Sequence, residues 1–390
     1  MTEELRIGLA LSGGGSRAIA FHLGCLRALH DRGVLSKISV LSAVSGGSVI
    51  AALYAYNDDS FPEFEARVLK LLRRGLIWGI ARQTFLSLET PKILITIISS
   101  GVMVALGAIL RFLAVSLGLF KIGGSTLPAL ASRMSAILPR FASRSTAFER
   151  HLRKQIFGDK RVNEIGRQNL EVVLNATELR TGTAFRYGSM ESGSWRYGRL
   201  VRIPTVAKAV AASAAFPALL PSFDENLVFD NNGKLTKHRV MITDGGVYDN
   251  LGISCLLPGS SAEFSTNAFQ VDFIIACDAG QGTPSGIAKP YLWGSRMLTT
   301  VKTIHRRTNT LSYNLLHRMA ANGEIKGFLL PYLGQIDERL PYRPPNLVPR
   351  SKTFDYPTNF SPMSETNIQS LSQRGEQLTR LLLDFYASDI

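Results

Sequence analysis

The chain has 390 residues, 45% of them hydrophobic, and a formal net charge of +14. This composition allows a substantial core in one large domain or two ordinary ones and excludes wholesale disorder. The three cysteines, Cys25, Cys255 and Cys277, show neither a disulfide framework nor a zinc-ligand spacing, which favours a reducing compartment. Residues 1–4 are partly acidic and lack the basic and apolar regions of a signal peptide, so we expect a cytoplasmic location.

The positive charge is concentrated in one stretch. Residues 73–144 contain nine lysine or arginine residues and one acidic residue, Glu89, so they carry +8 of the +14. They also hold residues 93–110, eighteen residues without a charge, and a second apolar run at residues 112–120. We predict that residues 1–72 and 145–390 form an α/β domain, and that residues 73–144 are an apolar, basic helical insertion. Because the charges surround an apolar segment and no recognition motif accompanies them, nucleic acid is not the expected partner.

The elements before the insertion alternate between strand and helix. Residues 6–11 form a strand candidate, a glycine loop follows, and residues 18–32 show a helical pattern. Residues 38–42 form a second buried strand, which leads through Ser45 into another helical stretch. This order is typical of a mostly parallel central sheet flanked by helices.

The same α/β character returns after the insertion. Further strand candidates are residues 170–175, 183–187, 240–243 and 273–277. An alanine-rich helix is predicted at residues 207–215, an irregular wrap at residues 341–362 and a closing amphipathic helix at residues 364–387.

The first strand ends in Gly13, Gly14 and Gly15, followed by Ser16 and Arg17. A strand that runs through glycines into a helix points several backbone N–H groups at one spot, which favours an anion site. The anion could be the oxyanion of acyl transfer or a nucleotide phosphate, and a plain tight turn is the structural alternative. A dinucleotide loop requires an acidic residue at the end of the next strand. Ser42 stands there, so we favour an oxyanion hole.

Ser45 follows the second strand and precedes Gly46 and Gly47. A serine on a sharp strand-to-helix turn between small residues is the arrangement of a nucleophile. Its hydroxyl needs a base, and His305 and His317 come late enough in the chain to supply the usual Ser, Asp, His order. Both histidines lie in a basic, polar stretch that is typical of a solvated surface.

Asp244 ends the apolar run at residues 240–243 and precedes Gly245 and Gly246. An acid at the end of a buried strand lies where α/β sheets place their sites, although an Asx turn is the structural alternative. Together with Ser45 and the glycine loop, Asp244 is predicted to be catalytic.

These three motifs resemble those of the patatin-like phospholipases, which are related to the cytosolic group IV phospholipases. The marks of that family are Gly-Gly-Gly-x-Arg, a Gly-x-Ser-x-Gly elbow, and Asp-Gly-Gly or Asp-Gly-Ala. Here they stand at residues 13–17, 43–47 and 244–246, and further matching pieces are residues 175–182, 212–217 and 247–252. The resemblance covers about residues 5–60 and 145–280. One departure is Ala43, which replaces the first glycine of the elbow.

The resemblance implies a three-layer α/β/α fold and a Ser45–Asp244 dyad without a histidine. It implies an oxyanion hole at Gly13, Gly14 and Gly15, with Arg17 supporting that loop or holding an acidic head group. The expected activity is hydrolysis of fatty-acyl esters of phospholipids or other acyl lipids through an acyl-enzyme, with no cofactor and no metal. An acyltransferase using the same dyad and a non-catalytic membrane-binding scaffold are the alternatives.

The apolar segment is long enough for a transmembrane helix. Ser45 lies before this segment and Asp244 after it, and the two residues of a dyad must lie on the same side of a membrane. A dyad therefore excludes a single crossing of the membrane by this segment. Two full spans need about forty apolar residues, and residues 93–120 number twenty-eight. The segment is therefore expected to be a re-entrant or interfacial membrane element, or else a lid buried on the protein.

We favour peripheral or monotopic association with an anionic membrane. The residues that suit such a surface are Arg73, Arg74, Trp78, Arg82, Phe85, Lys92, Lys121, Arg133, Arg140 and Arg144.

Overall fold

The computed structural model describes residues 5–119, 130, 139–217, 219–259, 265–283, 286, 291–388 and 390. The predicted end of the apolar segment at Phe120, and the flanking Lys121 and Arg133, lie outside the described residues. The strands are β1 (Ile7–Leu11), β2 (Ile38–Val44), β3 (Glu171–Glu178), β4 (Thr183–Gly188), β5 (Ser192–Ser194), β6 (Gly198–Leu200), β7 (Phe223–Asn231), β8 (Lys234–Asp244), β9 (Phe273–Cys277) and β10 (Gly327–Leu329).

The predicted helical stretches at residues 18–32, 207–215 and 364–387 are largely helical, and the structure adds helices that were not predicted. The helices are α1 (Gly15–Asp31), α2 (Gly46–Ala55), α3 (Phe61–Arg74), α4 (Ile77–Phe85), α5 (Glu89–Leu119), α6 (Arg144–Leu152), α7 (Val206–Ser213), α8 (Gly246–Asp249), α9 (Trp293–Ala321) and α10 (Glu365–Tyr386). A π-helical turn, Arg153–Phe157, continues α6.

The sheet has two parts that meet at β3. Strands β10, β9, β1, β2 and β3 are parallel neighbours. From β3 the order continues through β4, β5, β6, β7 and β8 in antiparallel pairs, and β8 pairs back onto β3 to close a ring of six strands. The expectation of a mostly parallel sheet is therefore right for the first part and wrong for the sheet as a whole.

The antiparallel ring has a local cause. Antiparallel neighbours need only a tight turn, whereas parallel neighbours need a crossover, usually through a helix. Strands β7 and β8 are joined by Asn232 and Gly233, both at positive φ, which is the turn that suits a two-residue hairpin. The alternation of strand and helix in the first sixty residues does not continue here.

The parallel part is covered on both faces, as a three-layer arrangement requires. Leu9 and Leu11 of β1 belong to a core cluster that includes α1, α2 and α10. Ala10 and Ile274 point the other way, into a cluster that includes Leu316 of α9. Successive residues of a strand face opposite sides, so these short apolar strands are buried on both.

The helix α5 spans 31 residues, a length of about 46 Å at 1.5 Å per residue. Its first turns are anchored, because Ile93 packs with Ala142 and Ala147. Only 17% of the apolar window in Glu89–Ser116 is buried. Most of this window is therefore not buried against the described residues. Among the described residues, α5 is the one helix long and apolar enough to cross a membrane by length and composition.

The chain leaves and rejoins the α/β domain at neighbouring points. Glu89, at the start of α5, pairs with Arg150 of α6 at 2.7 Å. Beyond α5, the Arg140 amide donates to Asp224 Oδ2 at 3.0 Å, which returns the chain to the antiparallel ring. The domain boundaries at residues 73 and 144 stay a prediction, and Leu76 and Ile80 within that stretch belong to the main core.

Candidate active site

Ser45 lies at the sharp turn between β2 and α2. Its φ is 52° and its ψ is −117°. Residues other than glycine rarely adopt this backbone conformation, and those that do are often found at functional sites. The Ser45 amide donates to Ser213 Oγ at 3.0 Å, which fixes the turn from outside. Ser45 is 7% exposed, so it is buried but not completely sealed off from solvent.

Glycines on both sides of the turn allow backbones to approach closely. A Cβ on Gly46 would lie 2.3 Å from the carbonyl oxygen of Gly15, and one on Gly47 would lie 2.3 Å from that of Leu11. The elbow therefore packs directly against the glycine loop after β1, and any side chain at either position would separate them.

The glycine loop offers two amides rather than three. The Gly13 amide donates to the carbonyl oxygen of Asn250 at 3.0 Å, so it is already occupied. No backbone or side-chain acceptor is assigned to the Gly14 and Gly15 amides within the described residues. Gly15 has a φ of 60°, which turns the chain into α1 and which glycine adopts without steric cost. Gly14 and Gly15 are thus the amides available to an oxyanion.

Asp244 ends β8 beside the elbow and is 3% exposed. Its Oδ1 accepts the Gly246 amide at 2.7 Å, and its buried Oδ2 has no partner of ordinary hydrogen-bond geometry among the described residues. Burial raises the pKa of this carboxyl from 3.8 to about 7, against the lowering effect of the Ser45 hydroxyl and of the Gly246 amide. A carboxyl with that pKa can take up and return a proton near neutral pH.

The end of α7 holds the serine and the aspartate together. Ser213 Oγ accepts the Ser45 amide and donates to the carbonyl oxygen of Asn175 at 2.5 Å. The carbonyl oxygens of Ser213 and Ala215 accept the amides of Gly245 and Asp244, each at 3.2 Å. Sequence reasoning gave Ser213 no role, although it is the one hydroxyl residue among the alanines and valine of residues 209–215.

Arg17 is buried at the start of α1, next to Gly14 of the glycine loop. Its Nε donates to the carbonyl oxygen of Ala279 at 2.9 Å and its Nη1 to that of Tyr356 at 2.7 Å. Desolvation lowers the pKa of the guanidinium to about 10, while the nearby Asp278 carboxylate opposes this. Of the two predicted roles for Arg17, this arrangement suits loop support and leaves little access for a head group.

The histidines lie apart from this constellation. His317 is exposed and packs edge-on against Phe328, with ring centroids 4.8 Å apart. His22 is buried in α1, where its Nε2 lies 3.1 Å from the carbonyl oxygen of Cys277 and desolvation lowers its pKa to about 3. No hydrogen bond joins His305 or His317 to Ser45 or Asp244 in the described part of the chain.

The sequence model described as patatin-like phospholipase matches residues 9–257. The chain belongs to this family. Lysophospholipase nte1 of Aspergillus fumigatus is 37% identical over 75 residues, which is 19% of this chain and 5% of that protein. Lysophospholipase NTE1 of Eremothecium gossypii is 42% identical over 73 residues, 18% of this chain and 4% of that protein. The chain therefore spans only a small part of the length of these curated relatives.

Human GIVD cytosolic phospholipase A2 has a similar fold. The superposition has a TM-score of 0.50 at 11% sequence identity and covers 98% of this chain and 62% of that one. At this identity the similarity concerns the fold alone, and it supports the patatin-like α/β architecture described above.

Asn175, from one of the further segments that match the family, holds the strand that leads into the elbow. Asn175 Nδ2 donates to Ser42 Oγ and to the carbonyl oxygen of Ala43, at 2.8 and 3.0 Å. Ala43, which stands where the family's elbow has glycine, is fully buried in the main core. The extra methyl group is therefore packed, and the elbow after it keeps its sharp turn.

Proposed function

We propose that this patatin-like chain is a lipid acyl hydrolase that uses Ser45 as nucleophile and Asp244 as base. The observation that carries the proposal is the buried Asp244 carboxyl, whose pKa is raised to about 7 beside the strained Ser45 turn. An ordinary carboxylate is too weak a base to activate a serine at neutral pH. Desolvation supplies the missing basicity without a histidine.

The reaction follows from these positions. Asp244 accepts the Ser45 proton as Oγ attacks the ester carbonyl carbon, and the Gly14 and Gly15 amides donate to the oxyanion. The intermediate collapses to acyl-Ser45, and the alcohol leaves with the proton from Asp244. A water that gives its proton to Asp244 then attacks the acyl carbon. The fatty acid leaves and Ser45 recovers its proton.

The substrate class we propose is a phospholipid or lysophospholipid at a membrane surface. The exposed apolar side chains of α5, among them Ile97, Ile98 and Phe112 at 61%, 57% and 72% exposure, need a nonpolar environment. Because the chain rejoins the domain at Arg140, entry of α5 into a bilayer leaves Ser45 and Asp244 on one side. We infer monotopic association rather than a crossing that divides the dyad.

Hydrolysis of a lysophospholipid and of a short-chain soluble ester tests this function. Ser45→Ala and Asp244→Asn should each reduce the rate by about a thousandfold or more, while the controls His305→Ala and His317→Ala keep the wild-type rate. Full activity of Asp244→Asn together with loss in either histidine variant would assign the base to histidine and contradict the dyad.

A further inference from the structure

A cleft of about 540 Å³ lies between α4, the start of α5 and α6. None of its lining residues belongs to the candidate catalytic set. The lining includes Trp78, Arg82, Leu86, Arg150, His151 and Lys154. The cleft therefore opens where the apolar helix α5 leaves the α/β domain.

The lining is cationic. Arg150 Nη1 pairs with Glu89 Oε1 at 2.7 Å, and Lys92 reaches the same oxygen at 3.1 Å. Arg82 and Lys154 are exposed and have no acidic partner among the described residues. Two positive charges thus remain uncompensated, and an anion in the cleft would restore the balance.

Polar atoms in the wall also lack partners. Arg150 Nε is a buried donor with no acceptor in the described part of the chain. Its guanidinium is held in place through Nη1, so this N–H keeps a fixed direction. A buried donor without an acceptor costs free energy unless a ligand or water satisfies it.

Gly79 shapes one side of the cleft. A Cβ at this position would lie 2.1 Å from the imidazole ring of His151. The glycine therefore lets α4 and α6 approach closely enough for the ring to lie between them and line the cleft. Burial lowers the pKa of His151, so near neutral pH it offers a hydrogen bond rather than a charge.

The rim of the cleft is apolar and exposed. Trp78, Leu86 and Leu88 are 73%, 79% and 71% exposed, and α5 begins at Glu89, next to Leu88. Tryptophan is typical of the membrane–water interface, where its ring lies among head groups. Cations beside an exposed apolar rim match a lipid, whose phosphate lies just outside its acyl chains.

We propose that this cleft binds the phosphate of an anionic membrane lipid through Arg82, Arg150 and Lys154. The inference rests on the proposed approach of α5 to a membrane and adds a specific head-group site to it. Arg82 and Lys154 supply the free charge, and Arg150 supplies a donor already fixed by Glu89.

Co-sedimentation of the full chain with vesicles tests the proposal. The measured quantity is the ratio of partition coefficients between vesicles that contain phosphatidic acid and vesicles of phosphatidylcholine alone. Arg82→Gln with Lys154→Gln should lower this ratio about tenfold or more. The matched control is Lys234→Gln with Lys237→Gln in the exposed β7–β8 hairpin, which removes the same charge and should change the ratio much less. Near-ultraviolet circular dichroism checks that both pairs of variants fold.

The outcomes separate the cleft from the membrane association on which it rests. Equal losses in both pairs of variants, or an unchanged ratio in the cleft variant, would overturn the site. A wild-type chain that binds both kinds of vesicle equally contradicts only the cleft, and one that binds neither contradicts both proposals. Saturable binding of free glycerol phosphate that depends on Arg82 and Lys154, without a preference for anionic vesicles, would overturn the lipid assignment.

Discussion

Asp244 illustrates how the surroundings of a carboxyl group change its proton affinity. A solvated aspartate gives up its proton far below neutral pH and would scarcely activate a serine. At 3% exposure, water no longer stabilises its charge, and its pKa lies near 7. The same burial leaves Oδ2 without an ordinary hydrogen bond among the described residues, so this carboxyl has capacity for a proton.

The pH dependence of hydrolysis follows from this environment. In the proposed dyad Asp244 can act as base only when it is ionised, so kcat/KM for a soluble short-chain ester should rise with pH and level off above about 7. With a solvated aspartate as base, this rise in kcat/KM would occur about three pH units lower. Measuring kcat/KM between pH 4 and 9 locates this rise. A rise near pH 4 would contradict desolvation as the source of basicity.

The residues of the candidate site could be proposed from the sequence because each belongs to a local motif. Ser45, Asp244 and the glycine loop were found from their residue types and their positions after strands. The occupied amide of Gly13 was not predictable, because its acceptor is the carbonyl oxygen of Asn250, more than two hundred residues away. Ser213 was missed for the same reason, since its contacts with Ser45 and Asn175 are non-local.

Among the elements, the end of α7 determines how the serine and the aspartate meet. It binds the Ser45 amide through a side chain and the amides of Asp244 and Gly245 through its backbone. The end of α7 therefore positions both the elbow and the end of β8.

Ser213→Ala should lower kcat for ester hydrolysis about tenfold while leaving KM nearly unchanged. The substitution leaves the buried Ser45 amide without an acceptor, which costs about 1–3 kcal/mol and loosens the turn. Steady-state kinetics measure the effect.

Ser48→Ala is the matched control, because it removes the hydroxyl 2.7 Å from Ser213 Oγ but keeps the acceptor of Ser45. Ser213→Thr should restore most of kcat. Equal effects of Ser213→Ala and Ser48→Ala would show that Ser213 only fills space.

The first strands and helices were predictable because their apolar periodicity reports burial directly. The antiparallel ring was not, because β5 and β6 have only three residues each and are joined to each other and to β4 by turns rather than helices. The Asn-Gly turn between β7 and β8 was a readable hairpin signal in the sequence.

For the whole molecule, the main question was whether the apolar insertion is core or surface. A helix that is apolar on all sides satisfies either description, so the sequence left both open. Among the described residues, α5 is exposed beyond its first turns, which favours a membrane-facing role over a lid buried on the protein.

Charges on α5 should weaken membrane binding. Ile98→Asp with Val102→Asp, at positions 57% and 51% exposed, should lower partitioning into phosphatidylcholine vesicles by about a thousandfold or more, since each charge costs about 2.5–3.5 kcal/mol within a bilayer.

The control is Val228→Asp with Leu235→Asp, exposed apolar residues of the β7–β8 hairpin at 43% and 66%. Vesicle sedimentation compares the two pairs of variants, and equal partitioning would contradict a membrane role for α5.

The central claim, that Ser45 is a nucleophile activated by Asp244, is tested most directly by covalent labelling with a fluorophosphonate. The account predicts that peptide mass spectrometry places the label on Ser45. It also predicts that Asp244→Asn slows labelling about a hundredfold or more, with His305→Ala and His317→Ala unchanged. Labelling at another residue, no labelling, or an undiminished rate in Asp244→Asn would contradict the account.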